Sequence, residues 1–143
     1  MDTAESLLKT KGHDILSVPP DASVYDALKL MADKGVGALL VMDKSELVGI
    51  ISERDYARKI ILKGKTSKDT LVREIMTAKV IYVKIDTSVH DCMALMTEKR
   101  IRHLPVYKGD QLVGVISIGD VVKDIISEQE FVIEQLEKYI TGS

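Results

Sequence analysis

The residue types best suited to chemistry are a serine and an aspartate three residues apart, in Ser52-x-x-Asp55 and again in Ser117-x-x-Asp120. Each pair lies where an apolar run that predicts a strand changes to a pattern that predicts a helix. A helix start presents unpaired N–H groups and a positive dipole end, which suit a phosphate, and a carboxylate can accept two hydrogen bonds from a ribose diol. The same spacing forms helix-capping boxes, which is its more frequent use, so both explanations stay open here.

The two pairs belong to a longer internal repeat. With an offset of 65 residues and no gap, Ile15–Tyr56 aligns with Val80–Val121, and 16 of the 42 positions are identical. The identities are spread over several predicted elements instead of clustering in one. This distribution indicates a duplicated folding unit of the kind that internal sequence repeats encode.

Within each copy, the hydrophobic periodicity predicts the order strand, helix, hairpin, helix, which is a βαββα unit. The first strand is predicted at Ile15–Val18 and at Val80–Val83. The next helix is predicted to begin with a capping box, Ser23-x-x-Asp26 or Ser88-x-x-Asp91, in which Asp replaces the usual Glu. The remaining predicted elements are Ala38–Met42, Leu47–Ser52, Arg54–Leu62, Leu104–Tyr107, Leu112–Ser117 and a helix from Asp120 to about Ile140.

The segments around the repeats complete an α/β architecture with terminal helices. A polar stretch after Gly64 predicts a loop, followed by a short helical turn at Leu71–Met76. The predicted organisation is an N-terminal helix at 1–11, repeat 1 at 12–64, a linker with a short helix at 65–76, repeat 2 at 77–127 and a C-terminal helical extension at 128–143.

Composition and charge exclude several functional classes. The net charge is −2, so no overall positive field draws the chain to nucleic acid or to an anionic membrane. Aromatic residues make up 4%, which leaves no row of rings for stacking single-stranded bases. The single cysteine, Cys92, cannot form an intrachain disulfide, and the longest apolar stretch, Val36–Met42, is too short to span a bilayer. The first five residues are acidic, unlike a signal peptide, so we expect a cytoplasmic protein.

Several motifs together resemble the cystathionine-β-synthase (CBS) domain family, over about residues 12–127. They are Gly-hydrophobic-hydrophobic-Ser-x-x-Asp, at Gly49–Asp55 and Gly114–Asp120, Glu74-Ile75-Met76-Thr77 before the second copy, and Arg102-His103-Leu104-Pro105-Val106 in its second strand. The resemblance implies tandem CBS repeats packed through their sheets with pseudo-two-fold symmetry, an arrangement called a Bateman module.

The resemblance also implies an adenosine ligand in a cleft between the repeats, with AMP as the first candidate and ATP, ADP, NAD(H) or S-adenosylmethionine as others. In the family the aspartate holds the ribose, the Ser or Thr lies by the ribose and phosphate, and apolar residues of the first strand sandwich the adenine. Carried over by position, with neighbouring candidate donors, site 2 comprises Thr77, Lys79, Val80, Ile81, Arg100, Arg102, His103, Pro105, Ser117, Gly119 and Asp120. Site 1 comprises Asp14, Ile15, Leu16, Ser52, Arg54 and Asp55.

Differences between the copies rank the two sites. Repeat 2 has possible phosphate donors at Arg100, Arg102 and His103, where repeat 1 has Gly35, Gly37 and Ala38. Gly119 lets a ligand approach the backbone where repeat 1 carries Arg54, although Arg54 could itself reach a phosphate. In site 1, Gly12 and Asp14 stand where site 2 has Thr77 and Lys79. We therefore expect site 2 to be preferred.

Other chemistries have less support in the sequence. The histidines His13, His90 and His103 lack metal-ligand spacing, and His103 fits a phosphate donor and a packed side chain equally well. No recurrent nucleophile and base are visible, so we expect no catalytic residues and no enzyme activity. A basic run extends over Arg58, Lys59, Lys63, Lys65, Lys68 and Arg73. It is most often a solvated surface, with phosphate steering second and nucleic-acid contact third.

These patterns predict a regulatory module that senses an adenine nucleotide and acts in trans on an unknown effector protein. Exposed helix faces and the terminal helices predict a homodimer without membrane association. Two alternatives stay open. The first is an interaction module whose clefts bind no ligand, and the second is a nucleic-acid binder that uses the basic run.

Overall fold

The computed structural model describes residues 2–142 of the 143-residue chain. They divide into two units, each with its own hydrophobic core. The repeat-1 unit is Ile15–Val80, and the repeat-2 unit joins the N-terminal residues up to Asp14 to the residues from Ile81 onwards. Helix α1 (Ala4–Lys11) therefore belongs to the repeat-2 unit, although it precedes repeat 1 in the sequence.

The repeat-1 unit contains a three-stranded sheet and a long helix. Its elements are β1 (Ser17–Val18), α2 (Val24–Lys34), β2 (Ala38–Asp43) and β3 (Glu46–Ser52). The strand order is β1-β2-β3, with β1 parallel to the central β2 and β3 antiparallel to it. The predicted hairpin and its preceding helix are confirmed.

The end of this unit is less regular than its periodicity predicts. Instead of one helix over Arg54–Leu62, there is a short α3 (Glu53–Tyr56) that continues as a π-helical segment, Ala57–Ile61. The short helix before repeat 2 is α4 (Val72–Ile75). A π turn keeps the overall helical direction while it changes the hydrogen-bond pattern, so a periodicity argument does not detect it.

The repeat-2 unit has the same order of elements. They are β4 (Val83–Lys84), α5 (Val89–Lys99), β5 (His103–Lys108), β6 (Gln111–Ser117) and the 24-residue α6 (Ile118–Thr141). The sheet order is β4-β5-β6, with the same parallel and antiparallel pairings as in repeat 1. The predicted βαββα duplication is therefore present in the fold.

Both first strands are shorter than predicted. The β-branched runs predicted strands at Ile15–Val18 and Val80–Val83, but β1 and β4 have two residues each. A strand at the edge of a sheet extends only as far as its neighbour offers pairing. In repeat 1, only Ser17 and Val18 pair with the central strand. The β-strand propensity of a segment alone does not predict this limit on strand length.

The capping boxes predicted for α2 and α5 are only half formed. Ser23 and Ser88 accept hydrogen bonds from the backbone N–H groups of Asp26 and Asp91, each at 3.0 Å. The reciprocal bonds of a box are not among the contacts of the described residues, and both aspartates are exposed. The serine backbones instead lie in isolated β-bridges to the segments that precede α4 and α1.

The two cores are built from the apolar faces that periodicity predicts. Met31 and Met96 are each 1% exposed and lie in the cores of repeats 1 and 2, respectively. Cys92 is fully buried in the repeat-2 core. Burial, with a smaller contribution from the Asp91 charge, raises the pKa of the Cys92 thiol to about 11, so it remains protonated near neutral pH.

A short helix packs against the last strand of each unit at a glycine. In the repeat-2 unit, a Cβ atom on Gly114 of β6 would lie 2.6 Å from Cδ2 of Leu8 in α1. In the repeat-1 unit, a Cβ atom on Gly49 of β3 would lie 2.5 Å from the sulfur of Met76. These matched glycines are needed because a neighbouring side chain occupies the space of their missing Cβ atoms.

Candidate functional site

Ser117 and Asp120 form a complete capping box at the start of α6. The Ser117 backbone N–H donates to Asp120 Oδ2 at 2.7 Å, and the Asp120 N–H donates to Ser117 Oγ at 3.2 Å. The capping explanation of this motif is therefore correct. Capping uses only part of the acceptor capacity of Asp120, since the two carboxylate oxygens offer about four acceptor positions.

A lysine from a distant part of the sequence completes this group. Lys11 Nζ donates to Asp120 Oδ2 at 2.7 Å, and the two side chains are 38% and 25% exposed. Burial alone would raise the pKa of Asp120, but the hydrogen bonds from Lys11 and Ser117 and the Lys11 charge together hold this pKa below its usual value. No sequence pattern indicates Lys11, because the two partners are 109 positions apart in the chain.

His103 and Arg102 lie beside the same helix start. In the pairing of β5 with β6, His103 is opposite Ser117, and the Arg102 carbonyl accepts from the Ile118 N–H at 2.8 Å. Burial and then the Lys11 charge lower the pKa of His103, with Asp120 acting in the opposite direction and Arg102 lowering it further. His103 is therefore largely neutral near pH 7 and can offer one ring N–H to an anion.

Arg100 and Gly119 are exposed residues of the same unit. Arg100 caps the end of α5 with a φ of 54°, in the left-handed region, where repeat 1 has Gly35 with a φ of 66°. A non-glycine residue in this conformation costs roughly 1–2 kcal/mol. Gly119 is in the first turn of α6, where its missing side chain leaves the helix start accessible.

Pro105 changes the backbone hydrogen bonding of the repeat-2 sheet. In repeat 1, the N–H of Leu40 donates to the carbonyl of Leu16 at 3.1 Å. Pro105 occupies the position of Leu40 in repeat 2 and is buried in β5. Proline has no N–H, so the matching bond to the Ile81 carbonyl cannot form. Ile81 is half-buried, and its carbonyl is an acceptor that this partner does not satisfy.

Three of the residues predicted for site 2 belong to the repeat-1 unit. They are Thr77, Lys79 and Val80. Thr77 forms an antiparallel bridge with Ile50 of β3 through two backbone N–H to carbonyl bonds of 2.9 and 3.0 Å. Thr77 itself is exposed. Lys79 is exposed and Val80 is half-buried. Within the repeat-2 unit, the structure brings together Ser117, Asp120, His103 and Arg102.

The site 1 motif has the same cap but a different cation. Asp55 Oδ2 accepts from the Ser52 N–H at 3.0 Å and from Ser52 Oγ at 3.1 Å. Asp55 Oδ1 lies 3.2 Å from Lys59 Nζ, and this lysine also donates to the Ile75 carbonyl at 2.8 Å. Its cation therefore comes from the same helical segment, four residues along the chain.

The surroundings of the Ser52 cap differ from those of the Ser117 cap. The residue opposite Ser52 in the sheet is Ala38, which has no donor, whereas His103 occupies this position in repeat 2. Arg54 and Leu16 are half-buried, Ile15 is exposed, and Asp14 belongs to the repeat-2 unit. In this register, repeat 2 has a side-chain donor opposite its capping serine, whereas repeat 1 has an alanine there.

A depression elsewhere on the repeat-2 unit was not expected from the sequence. It has a volume of about 690 Å³ and includes Tyr82, Lys84, Asp86 and Tyr107 in its lining. The rings of Tyr82 and Tyr107 meet edge to face, with centroids 4.9 Å apart. Tyr82 directly precedes β4 and Tyr107 lies in β5, so neither local segment indicates this contact.

Among residues 2–142, no group of three or more His, Cys, Asp or Glu side chains is arranged to hold a metal ion. No helix in this part of the chain combines the length and apolar character needed to cross a bilayer.

The sequence matches the CBS domain family twice, over residues 8–62 and 72–127. It is 44% identical to the CBS domain-containing protein CBSX3, mitochondrial, of Arabidopsis thaliana, over 98% of this chain and 72% of that protein. It is 55% identical to a protein with CBS domains from Burkholderia ambifaria, with a TM-score of 0.86 over 89% of this chain and 96% of that one.

Two more distant structures share the fold. The hexameric CBS-CP12 protein from bloom-forming cyanobacteria is 30% identical, with a TM-score of 0.75 over 84% of this chain and 70% of that one. The CBS domain pair of protein MJ0100, solved with 5′-methylthioadenosine and S-adenosyl-L-methionine, is 24% identical, with a TM-score of 0.77 over 90% and 98% of the two chains. This last likeness concerns the fold alone. The chain described here belongs to the CBS domain family and carries two CBS domains.

Proposed function

We propose that the protein is a regulatory module that senses an adenine nucleotide through the residues around Asp120. The observation that carries this proposal is the grouping of a capped carboxylate with Lys11, Arg102 and His103 at the start of α6. A nucleotide presents a ribose diol and a phosphate close together. A carboxylate beside several cationic or N–H donors matches both features.

The base is the second part of the proposal. The Ile81 carbonyl lacks the bond that its counterpart Leu16 receives, because Pro105 has no N–H. An adenine 6-amino group is a donor that can use this acceptor, whereas the 6-oxo group of guanine cannot. We propose AMP as the first ligand, with ADP, ATP and NAD(H) as further candidates. The CBS fold also holds adenosine compounds in MJ0100.

We rank the Asp120 site above the Asp55 site. Ala38 replaces the histidine donor of repeat 2, and Lys59, the cation beside Asp55, also donates to the Ile75 carbonyl. Thr77, Lys79 and Val80 remain proposed contributors to the Asp120 site, as the family resemblance implies. Asp14, Ile15 and Arg54 remain proposed for the weaker site.

We propose that the output of the module is regulatory, not catalytic. In both repeats, the Ser and Asp side chains that could have formed a reactive pair each accept a hydrogen bond from the other residue's backbone N–H as helix caps. A nucleotide that binds one conformation of the module better than another shifts its population, and a partner protein reads the shift. We place this activity in the cytoplasm, where Cys92 stays reduced.

Thermal melting tests the proposal with one protein and several ligands. AMP, ADP, ATP, NAD(H) and S-adenosylmethionine are added separately, with GMP as the base control. A ligand at 100 times its Kd stabilises the fold by about 2.7 kcal/mol, or roughly 8 °C for a chain of this size. We expect AMP to raise the melting temperature and GMP to have a much smaller effect.

Two variants assign the effect to a site. Asp120→Ala is expected to remove most of the AMP shift, and Asp55→Ala to remove less. Absence of any shift at millimolar nucleotide would contradict sensing and favour a ligand-free interaction module. A salt-dependent gel shift with DNA or RNA would instead favour the basic run from Arg58 to Arg73.

A homodimer is a separate part of the proposal and concerns the end of α6. Every described residue from Ile126 to Gly142 is exposed. The apolar face that buries Val121 in the core continues along this stretch, where we call it the α6 stripe. Its members are Ile126, Val132, Ile133, Leu136, Tyr139 and Ile140, which are 49–87% exposed.

We propose that a second copy of this chain covers the α6 stripe. An isolated helix of about 15 residues is marginal in water, so the extension gains stability when its apolar face is buried. Two copies present the same stripe, which suits the self-complementary interface of a two-fold dimer. Self-association also occurs in the hexameric CBS-CP12 protein.

A further inference from the structure

Lys11 is held beside Asp120 by a rigid attachment of helix α1 to the repeat-2 unit. Leu8 is fully buried and packs against Gly114, and Ala4 N–H donates to the Thr87 carbonyl at 2.8 Å. After the helix, His13 Nδ1 lies 2.9 Å from the Val113 carbonyl oxygen. The backbone on both sides of Lys11 is thereby fixed, while its flexible side chain is 38% exposed.

The contact is specific to repeat 2, as a comparison of the repeats shows. In repeat 1, the cation beside Asp55 is Lys59, four residues further along the same segment. The matching position in repeat 2 is Asp124, which carries the opposite charge. Repeat 2 therefore takes its cation from α1, an element outside the repeat.

The ammonium group competes with a ribose for the same carboxylate. Asp120 Oδ2 accepts from both Lys11 and the Ser117 N–H. A ribose diol that approaches this carboxylate meets the lysine in its path. A ligand with a phosphate offers the displaced ammonium a new anionic partner close by, whereas a nucleoside without phosphate offers none.

We propose that Lys11 makes the Asp120 site selective for nucleotides over nucleosides, by leaving Asp120 to the ribose and pairing with the phosphate. This inference rests on the proposed function and adds to it a binding residue from α1, an element outside repeat 2. Arg102 and the neutral His103 lie beside the same helix start and supply further N–H donors. Lys11 differs from them because it also blocks the carboxylate.

Paired titrations of AMP and adenosine test this role in the full chain. In the wild-type protein, AMP is expected to bind more tightly than adenosine. Lys11→Met removes a charge-assisted bond to the phosphate and should weaken AMP binding about tenfold. It also removes the competitor for Asp120 and should tighten adenosine binding about two- to fivefold. The AMP preference should therefore fall by more than tenfold.

Two variants provide matched controls. Lys9→Met makes the same substitution in the last turn of α1, at a side chain that is 74% exposed and lies 3.9 Å from Glu5, and should leave both affinities unchanged. Lys11→Arg retains the charge and should retain most of the AMP preference. Melting curves without nucleotide establish that each variant is folded before its affinities are compared.

The outcomes separate this inference from the proposed function. If the wild-type protein binds both compounds and Lys11→Met leaves their ratio unchanged, or Lys9→Met changes it equally, Lys11 has no selective role. The nucleotide site would still stand in that case. If the wild-type protein binds neither AMP nor adenosine, the proposed function fails and the role of Lys11 fails with it.

Discussion

At the start of α6, the Asp120 carboxylate combines two roles that the sequence presented as alternatives. It caps the helix through Ser117, and it accepts a bond from Lys11 at a position suited to a ligand. Because one carboxylate has several acceptor positions, capping does not exclude ribose binding. Capping also fixes the direction of the carboxylate, which orients it for a ligand.

The low pKa of Asp120 predicts a pH-dependent contribution to stability. A carboxyl whose folded pKa lies below its unfolded value of 3.8 stabilises the fold above that pH and loses its contribution as the pH falls through the folded pKa. Asp120→Asn should therefore lower the free energy of unfolding by about 1 kcal/mol at pH 7. The difference from wild type should narrow below about pH 4.

Urea unfolding at several pH values between 3 and 7 measures this difference. Lys11→Met serves as the companion variant, since it removes a partner that lowers the Asp120 pKa. The double variant should cost less than the sum of the two single changes, because both act on one interaction. A difference between Asp120→Asn and wild type that stays constant from pH 7 to pH 3 would contradict the assignment.

Sequence reasoning at this scale identified Ser117, Asp120 and His103 but not Lys11. The first three are marked by local signals, namely a strand-to-helix junction and a repeat comparison. Lys11 meets Asp120 only because α1 packs against β6. No periodicity or capping rule links positions that are 109 residues apart.

At the scale of elements, the attachment of α1 to β6 depends on the absence of a side chain at Gly114. Leu8 is fully buried, so it cannot easily move away from an added Cβ atom. Gly114→Ala should therefore destabilise the fold by about 1–3 kcal/mol. Gly49→Ala should cost less, because Met76 is half-buried and its side chain is more flexible.

Denaturant melts of both variants compare these costs, and a double-mutant cycle identifies the cause. Leu8→Ala alone removes a buried side chain and should cost about 2–5 kcal/mol. In the double variant Leu8→Ala/Gly114→Ala, the new Cβ atom fills part of the space that Leu8 leaves. A double variant whose cost equals the sum of the single costs would show that Leu8 and Gly114 are independent.

Most elements followed from their own segments, and the exceptions have identifiable causes. The hairpins and long helices were predicted because their periodicity reflects a buried face. The shortened β1 and β4 depend on partner strands, and the π-helical segment Ala57–Ile61 depends on a shift in backbone bonding. Pro105 was predicted as a site residue, but its effect on the Ile81 carbonyl became visible only in the sheet.

At the scale of the whole molecule, duplication produced two similar units with unequal chemistry. The sheets have matching order and register, while the charged residues around the two helix starts differ. Sequence comparison between the repeats detected the difference at Arg102 and His103. Because α1 belongs to the repeat-2 unit, Lys11 is a further charged residue that only the helix start of repeat 2 has beside it.

The α6 stripe predicts a self-association that one surface charge disrupts. Leu136→Glu places a carboxylate within the stripe and should shift the protein from dimer to monomer, because burial of an unpaired charge is costly. Phe131→Glu is the matched control. Phe131 is 62% exposed, and at 100° per residue it lies on the opposite face of the helix.

Light scattering coupled to size exclusion measures the mass of each variant. The wild-type protein and Phe131→Glu should have the mass of a dimer at tens of micromolar, and Leu136→Glu that of a monomer. A monomeric wild-type protein, or a dimer that Leu136→Glu leaves intact, would show that the α6 stripe does not form the interface.

Calorimetric titration with AMP is the decisive measurement for the proposed Asp120 site, because it reports affinity and stoichiometry together. We predict saturable binding to the wild-type protein, loss of most affinity in Asp120→Ala, and a smaller change in Asp55→Ala. A nucleotide site centred on Asp120 would be contradicted if millimolar AMP gave no binding heat. It would also be contradicted if the two variants lost AMP affinity equally.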